Sequence, residues 1–267
     1  MGLKIDQDYL RRLKKEAAAG DPHAQYELAQ FYRNWPALKA AEWGAFLWFF
    51  RRIWKSKGYD RLYVSWLEKA AEHGHVVSML ELANLYQNGK YVEKDEAKAS
   101  TYLLQAAEKG SSEALYLMGV RYENGIGVDA NPSESIARYT QAAEMGHPDA
   151  QYLLGYKLLN GSGVDRDEKQ GVAWLTRAAK QGHPSAIYEM GHCCRRGVGT
   201  EQNLEEAMMW YTLAARRWEP ARRDLEDCYS EWFSLRQSSA HTDPWFLEAK
   251  GNGADRRRSR FLREEFP

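Results

Sequence analysis

The chain has 267 residues, with 37 Lys and Arg against 37 Asp and Glu, so its formal charge is zero and no long-range attraction to nucleic acid is expected. At 44% hydrophobic and 28% charged residues, the composition is that of a globular protein and excludes a disordered one. Three cysteines, Cys193, Cys194 and Cys228, form an odd and irregular set, which argues against a disulfide framework and for a reducing, cytoplasmic setting.

The opening MGLKIDQDYLRRLKK has no apolar run behind its charges. Residues 1–16 therefore read as a helical cap and not as a signal peptide, and Asp6 breaks the myristoylation pattern. From Ala17 the text AAAGDPHAQYELAQFY is met again, changed in detail, as AAEMGHPDAQYLLGY from Ala142. Residues 34–60, NWPALKAAEWGAFLWFFRRIWKSKGYD, follow no such pattern, and a helix of about twenty residues is predicted after Pro36. Trp43, Phe46, Leu47, Trp48, Phe49, Phe50, Ile53 and Trp54 would wrap around more than one face of it, with Arg51, Arg52, Lys55 and Lys57 close behind. One reading is a lengthened second helix, buried on one side by its neighbour. The other is an anchor patch of Trp43, Phe46, Trp48, Phe50 and Trp54 for a partner protein, or a lipid-interface contact over residues 43–57. Protein is favoured over lipid because the apolar run is short and Glu42 stands on its approach.

Beyond this segment the chain repeats every 36 residues. Gly74, Gly110, Gly146 and Gly182 lie on one grid, and Ala70-Ala71 returns as Ala106-Ala107, Ala142-Ala143, Ala178-Ala179 and Ala214-Ala215. Gly119, Gly155 and Gly191 form a third column. Gly89, Gly125, Gly161 and Gly197 form a fourth, with a second glycine two places on at Gly127, Gly163 and Gly199; in the first of these loops Tyr91 stands instead. Asp95, Asn131, Asp167 and Asn203 fall where an N-cap is needed, and Glu134, Gln170 and Glu206 are placed to complete capping boxes. Pro132 is predicted at the first position of one helix, and Pro148 and Pro184 at that of its partner, so each unit reads as two helices. Ala150, Leu154, Gly155 and Leu158 make an apolar stripe whose small members admit a close neighbour.

These columns, seen together in AAEMGHPDAQYLLGYKLLNGSGVDRDEKQGVAWLTRAAKQG, resemble the Sel1-like repeat, a relative of the tetratricopeptide repeat. The resemblance implies an all-α fold, a right-handed α/α superhelical solenoid of tetratricopeptide-like helix pairs with the 36-residue period, over residues 17–229. It further implies a binding surface, since members act mostly as adaptors in signalling, secretion, envelope assembly or immunity to toxins. Two departures stand out. Secreted members can carry a cysteine pair in every repeat, which this chain lacks, and Gly20 to Gly74 is 54 residues, 18 more than the grid allows.

If the stripe at 150, 154, 155 and 158 faces inward, its neighbours face the groove that such solenoids use. Stepping by 36 gives one row of Glu81, Leu117, Leu153 and Glu189, and another of Asn84, Val120, Tyr156 and His192. Apolar in the middle and polar at the ends, these rows suit a peptide or helix with an apolar centre. Asn88, Asn124, Asn160 and then Arg196 form a third row, in which an Asn before a C-terminal Gly is read as turn chemistry.

No catalytic, metal or cofactor site is expected. His75, His147 and His183 recur on the grid, but neighbouring units are too far apart to share a metal, so these histidines are expected to start helices. The paired glycines lack the third glycine and preceding strand of a phosphate loop. Cys194 falls in the column of Tyr86 and Tyr122 and reads as a packed thiol. Residues 230–267 are expected to cap the solenoid with Trp232 and Phe233 and to end in a basic tail around Arg256, Arg257 and Arg258. The function expected is a non-catalytic adaptor for a protein or peptide, with no small-molecule substrate. The alternative is a dedicated inhibitor, such as an immunity protein against one secreted toxin.

Overall fold

The structure, a computed structural model, describes the backbone of residues 7–43, 57–216 and 218–239 and, within these, the side chains of 8–34, 58–216 and 218–236. Among the described residues all regular structure is helical: α1 (Gln7–Ala18), α2 (Pro22–Trp43), α3 (Lys57–Glu72), α4 (Val76–Asn88), α5 (Glu96–Glu108), α6 (Ser112–Asn124), α7 (Pro132–Glu144), α8 (Pro148–Asn160), α9 (Glu168–Lys180), α10 (Pro184–Arg196), α11 (Leu204–Ala215) and α12 (Glu219–Ser239). They group into two compact units, Met1–Leu154 and Gly155–Pro267, the division falling inside α8. Within each unit, helices that follow one another pack together, as short connections require.

Even-numbered helices from α2 to α10 open a repeat and the odd-numbered helix that follows closes it. Each connection has its own chemistry. Gly89, Gly125 and Gly197 end α4, α6 and α10 in the left-handed region, with φ of 64°, 66° and 70°, and donate their N–H groups to Leu85, Arg121 and Cys193. The expected N-caps are in place: Asp95, Asn131, Asp167 and Asn203 accept from the backbone N–H three residues on.

The reciprocal half of the capping box is not what occupies the cap's own N–H. Asp95, Asn131, Asp167 and Asn203 donate instead to the carbonyls of Tyr86, Tyr122, Leu158 and Cys194, at 2.8–3.0 Å. That donor is spent on the preceding helix, and Glu134 turns to Arg138. Each loop is thereby closed into a ring that holds two helices in register.

The other connection is built on histidine and serine. Nδ1 of His75, His147 and His183 accepts the N–H of Ser78, Ala150 and Ala186, and Ser111, the fourth member of the column, accepts that of Ala114. The histidines thus start helices, as the grid implied. Gly74, Gly110, Gly146 and Gly182, at φ 83–90°, make the turn in front of them.

Small residues on the opening helix set the spacing of each pair. A Cβ on Gly119 would lie 2.6 Å from the Tyr139 ring, and one on Gly191 2.6 Å from Tyr211. At Gly155 it would meet the Gly171 carbonyl at 2.9 Å and Leu175 at 3.0 Å, so that two glycines bring α8 and α9 together. Ala83 and Leu103 hold the equivalent positions in α4 and α5, and Ala29 and Leu67 in α2 and α3, all four buried in one core. That equivalence confines the 18 extra residues to the stretch between Ala29 and Leu67.

One expectation fails here. The chain does not begin a new helix after Pro36; α2 runs through it from Pro22 to Trp43. Proline withholds one N–H from the Tyr32 carbonyl, but Ala37, Leu38, Lys39, Ala40 and Ala41 behind it are good helix formers and propagate the turn. Phe46, Trp48, Phe50 and Trp54 of the aromatic segment, and the side chain of Trp43, lie outside the described residues.

Candidate partner-binding site

In the first unit an open cleft of about 660 Å³ is lined by α2, α3, α4, the loop after it, α5 and α6. Glu81, Asn84 and Leu117 of the predicted rows meet there, together with Tyr26, Arg33, Tyr63, Leu80, Lys90 and Tyr91, which those rows do not contain. Glu81 is not a free carboxylate. Its Oε1 accepts from Tyr63 Oη at 2.5 Å and Arg33 Nη1 at 2.7 Å, and its Oε2 accepts from Gln30 at 2.7 Å. Burial and the Glu81 carboxylate push the Tyr63 phenol far above its ordinary pKa, which keeps it a neutral donor.

Tyr63 is a large residue in a column of small ones. Ala99, Ser135, Gly171 and Ala207 occupy the same place in α5, α7, α9 and α11, and all are buried. Tyr91 is the second departure: at φ 67° it is the only non-glycine with positive φ among the described residues, in the column of Gly127, Gly163 and Gly199. The two rings meet edge to face, with centroids 5.6 Å apart at 88°. Arg33 lies over the Tyr63 ring at 6.0 Å and Lys90 over Tyr91 at 5.2 Å. Column comparison marks Tyr91 as the exception among the loop glycines and could have found Tyr63 as well, because each breaks a column that is otherwise small.

The other predicted positions are distributed as follows. Val120 and Leu153 in the first unit are half-buried, and Asn84 is exposed. Asn88, Asn124 and Asn160 donate to the carbonyls of Asn84, Val120 and Tyr156, which is turn chemistry. In the second unit Tyr156 is exposed, while Glu189 and His192 are half-buried. His192 Nδ1 lies 3.0 Å from Tyr211 Oη, and Tyr188 donates to Asp224 at 2.5 Å, so the polar end of that row is engaged with α11 and α12. Burial depresses the His192 pKa and raises that of Glu189. The structure therefore brings together Glu81, Asn84 and Leu117 in one cleft, and it ties Glu81 and His192 into internal networks.

Nothing in these networks has the geometry of a nucleophile and its base. Cys193, Cys194 and Cys228 are free and buried, and burial pushes their thiols up to about 12, 11 and 11. They are packed groups, not reactive ones. Arg121, also buried, is committed to holding the fold. It donates to the Glu96 carbonyl and carboxylate, Ser100, the Ile126 carbonyl and Gln87, pinning one loop to the start of α5.

The profile of the Sel1 repeat matches residues 22–34, 64–75, 76–111, 112–147, 148–183 and 184–217. The chain belongs to the Sel1 repeat family. Such proteins are all-α solenoids built of helix pairs, and they serve in general as protein-interaction scaffolds without catalytic activity. The first match of this Sel1 repeat protein is split, and its two parts flank the segment with the 18 extra residues. Among solved structures, the chain is similar to c5321, a protective antigen of uropathogenic Escherichia coli with an SLR fold: 30% identity over 85% of this chain and 44% of that one, TM-score 0.69. It is also similar to a Sel1 repeat protein from Oxalobacter formigenes: 29% identity over 85% of this chain and 60% of that one, TM-score 0.61. The Sel1 repeat chain thus spans less than two thirds of either relative. None of the curated proteins compared with it matches.

Proposed function

We propose that this chain is a non-catalytic adaptor that holds a partner protein or peptide through Glu81, Leu117, Leu153 and Glu189, through Asn84, Val120, Tyr156 and His192, and through the aromatic segment with Trp43, Phe46, Trp48, Phe50 and Trp54. The observation that carries this reading is the open cleft of the first unit, which collects Glu81, Asn84 and Leu117 beside three tyrosines. The cysteine pattern supports a cytoplasmic setting.

The test is an affinity pull-down from native lysate with the wild type, a Trp43→Ala, Trp48→Ala, Trp54→Ala triple variant, and a Leu117→Glu, Tyr156→Glu double variant, each checked for helicity and monodispersity. Several partners lost in either variant support the adaptor. One stoichiometric partner bound with nanomolar affinity and inactivated by the chain would replace that reading with a dedicated inhibitor, such as an immunity protein. Retention of anionic vesicles by the wild type, lost in the triple variant, would reassign residues 43–57 to a membrane surface.

A further inference from the structure

The two residues that break the repeat columns, Tyr63 and Tyr91, touch each other at the edge of one cleft, 28 residues apart in sequence. Tyr63 is buried and bonded to Glu81, so packing accounts for it. Packing does not account for Tyr91. The residue is 42% exposed, and it sits in the left-handed region, where a residue with a Cβ is strained. A strained residue that leaves its ring open to solvent is serving something other than the core.

The charges around it are unequal in availability. The Glu81 carboxylate already accepts from three donors, and Glu113, at the α6 side, accepts from His147 Nε2 at 2.8 Å. Arg33 spends Nη1 on Glu81 but remains half-exposed. Lys90 sits exposed beside the Tyr91 ring with no carboxylate within ion-pair distance among the described residues. At this end the cleft therefore offers cations to solvent, next to Tyr91, the 49%-exposed Val77 and half-buried Leu80 and Leu117.

We propose that this cleft binds an extended peptide segment that carries a carboxylate next to an aromatic or aliphatic side chain, with Lys90 as counter-ion and Tyr91 as the ring against which the apolar group packs. This deepens the adaptor reading and rests on it. Tyr91→Gly separates binding from folding, because it restores the residue that the other loops use. If Tyr91 serves a ligand, the variant is more stable and binds less well; if Tyr91 serves the fold, it is less stable.

The experiment selects a displayed random twelve-residue peptide library on the full chain, then titrates the leading synthetic peptide against wild type, Tyr91→Gly and Lys90→Glu, with thermal melts of each. Enriched peptides are expected to hold Asp or Glu within a few residues of an aromatic or aliphatic one. Tyr91→Gly should weaken binding about tenfold and raise the midpoint by about 2–4 °C. Selection on Lys90→Glu should turn the enriched peptides basic. Enrichment without acidic residues, a lowered midpoint for Tyr91→Gly, or unchanged affinity in both variants would overturn the proposal. Peptides that bind equally well to both variants while the pull-down partner is lost in the groove variant would leave the adaptor standing and move its site. If no peptide is enriched and no partner is captured, both readings fail.

Discussion

The first helix pair, α2 with α3, and the pair α6 with α7 share a core plan and differ in how they use it. In α6 and α7 the columns of small residues are kept: Gly119 admits Tyr139, Ser135 is small, and Gly127 lies on the start of α5. In the first pair Ala29 and Leu67 keep the plan, but Tyr63 fills the small column and α2 runs on to Trp43, and in the loop of the next pair, between α4 and α5, Tyr91 stands in place of the glycine beside Tyr63. A repeat that is regular throughout is serving the stack. Two successive pairs that each break a column at one cleft, with Tyr91 in the left-handed region, are where the proposed peptide site lies.

The comparison is broken most severely at Gly127. At φ 66°, a Cβ there would sit 2.1 Å from the Glu96 carbonyl, whereas Gly163, at φ 77°, has nothing within 4 Å. Gly127→Ala should therefore cost about 3 kcal/mol, combining left-handed strain with a backbone clash, and Gly163→Ala only about 1 kcal/mol, as chemical denaturation would show. Equal costs would mean that the loop moves freely and that its contact with α5 is unimportant.

A smaller effect tests the pairing of small and large residues. Gly119→Ala drives a methyl into the Tyr139 ring and should cost roughly 1–3 kcal/mol. Tyr139→Leu alone loses the 2.8 Å bond to Glu123 and opens a cavity. The double variant recreates the Ala83 and Leu103 pair of α4 and α5, so a double-mutant cycle should return a favourable coupling of about 1 kcal/mol or more. Additive losses would show that the two hairpins are not interchangeable.

The smallest effect lies at the caps. Burial, and then the charge of neighbouring His23, lower the His75 pKa below that of an unfolded histidine. The unfolded chain then binds the proton more readily, so stability is full above the ordinary histidine range and falls as pH drops through it toward the lower folded value. His75→Ser, which copies Ser111 of the same column, should keep the cap and flatten that dependence in melts taken from pH 8 to pH 5. An unchanged slope would place the effect elsewhere.

The helices and their caps were legible in the sequence because glycine, alanine, Asp and Asn each serve one local backbone need, and a local need recurs with the period. Three features were not. The helix through Pro36 depends on what stands on both sides of the proline, which a boundary rule does not weigh. The capping boxes stop half-formed because the carbonyls of Tyr122, Leu158 and Cys194 reach the donors first, and that is a contact between elements. Glu81 looked like a groove carboxylate, yet from α2 Arg33 pairs with it and Gln30 donates to it, two residues that the extra chain shifts off the grid. Of the site, the row pattern found Glu81, Asn84 and Leu117, but the tyrosines show only as exceptions to columns.

The rings that run from Tyr86 to Asp95, Tyr122 to Asn131, Leu158 to Asp167 and Cys194 to Asn203 all join positions nine apart. Adding or deleting one residue inside such a ring would move the cap off its helix and rotate every side chain beyond it by about 100°. From α4 onward the units therefore repeat with this ring length unchanged. In this protein the 18 additional residues fall in the connection of α2 with α3, where Tyr32 and Tyr59 hold the places of Tyr86 and Asp95 but stand 27 positions apart instead of nine, so the longer connection is confined to the first pair.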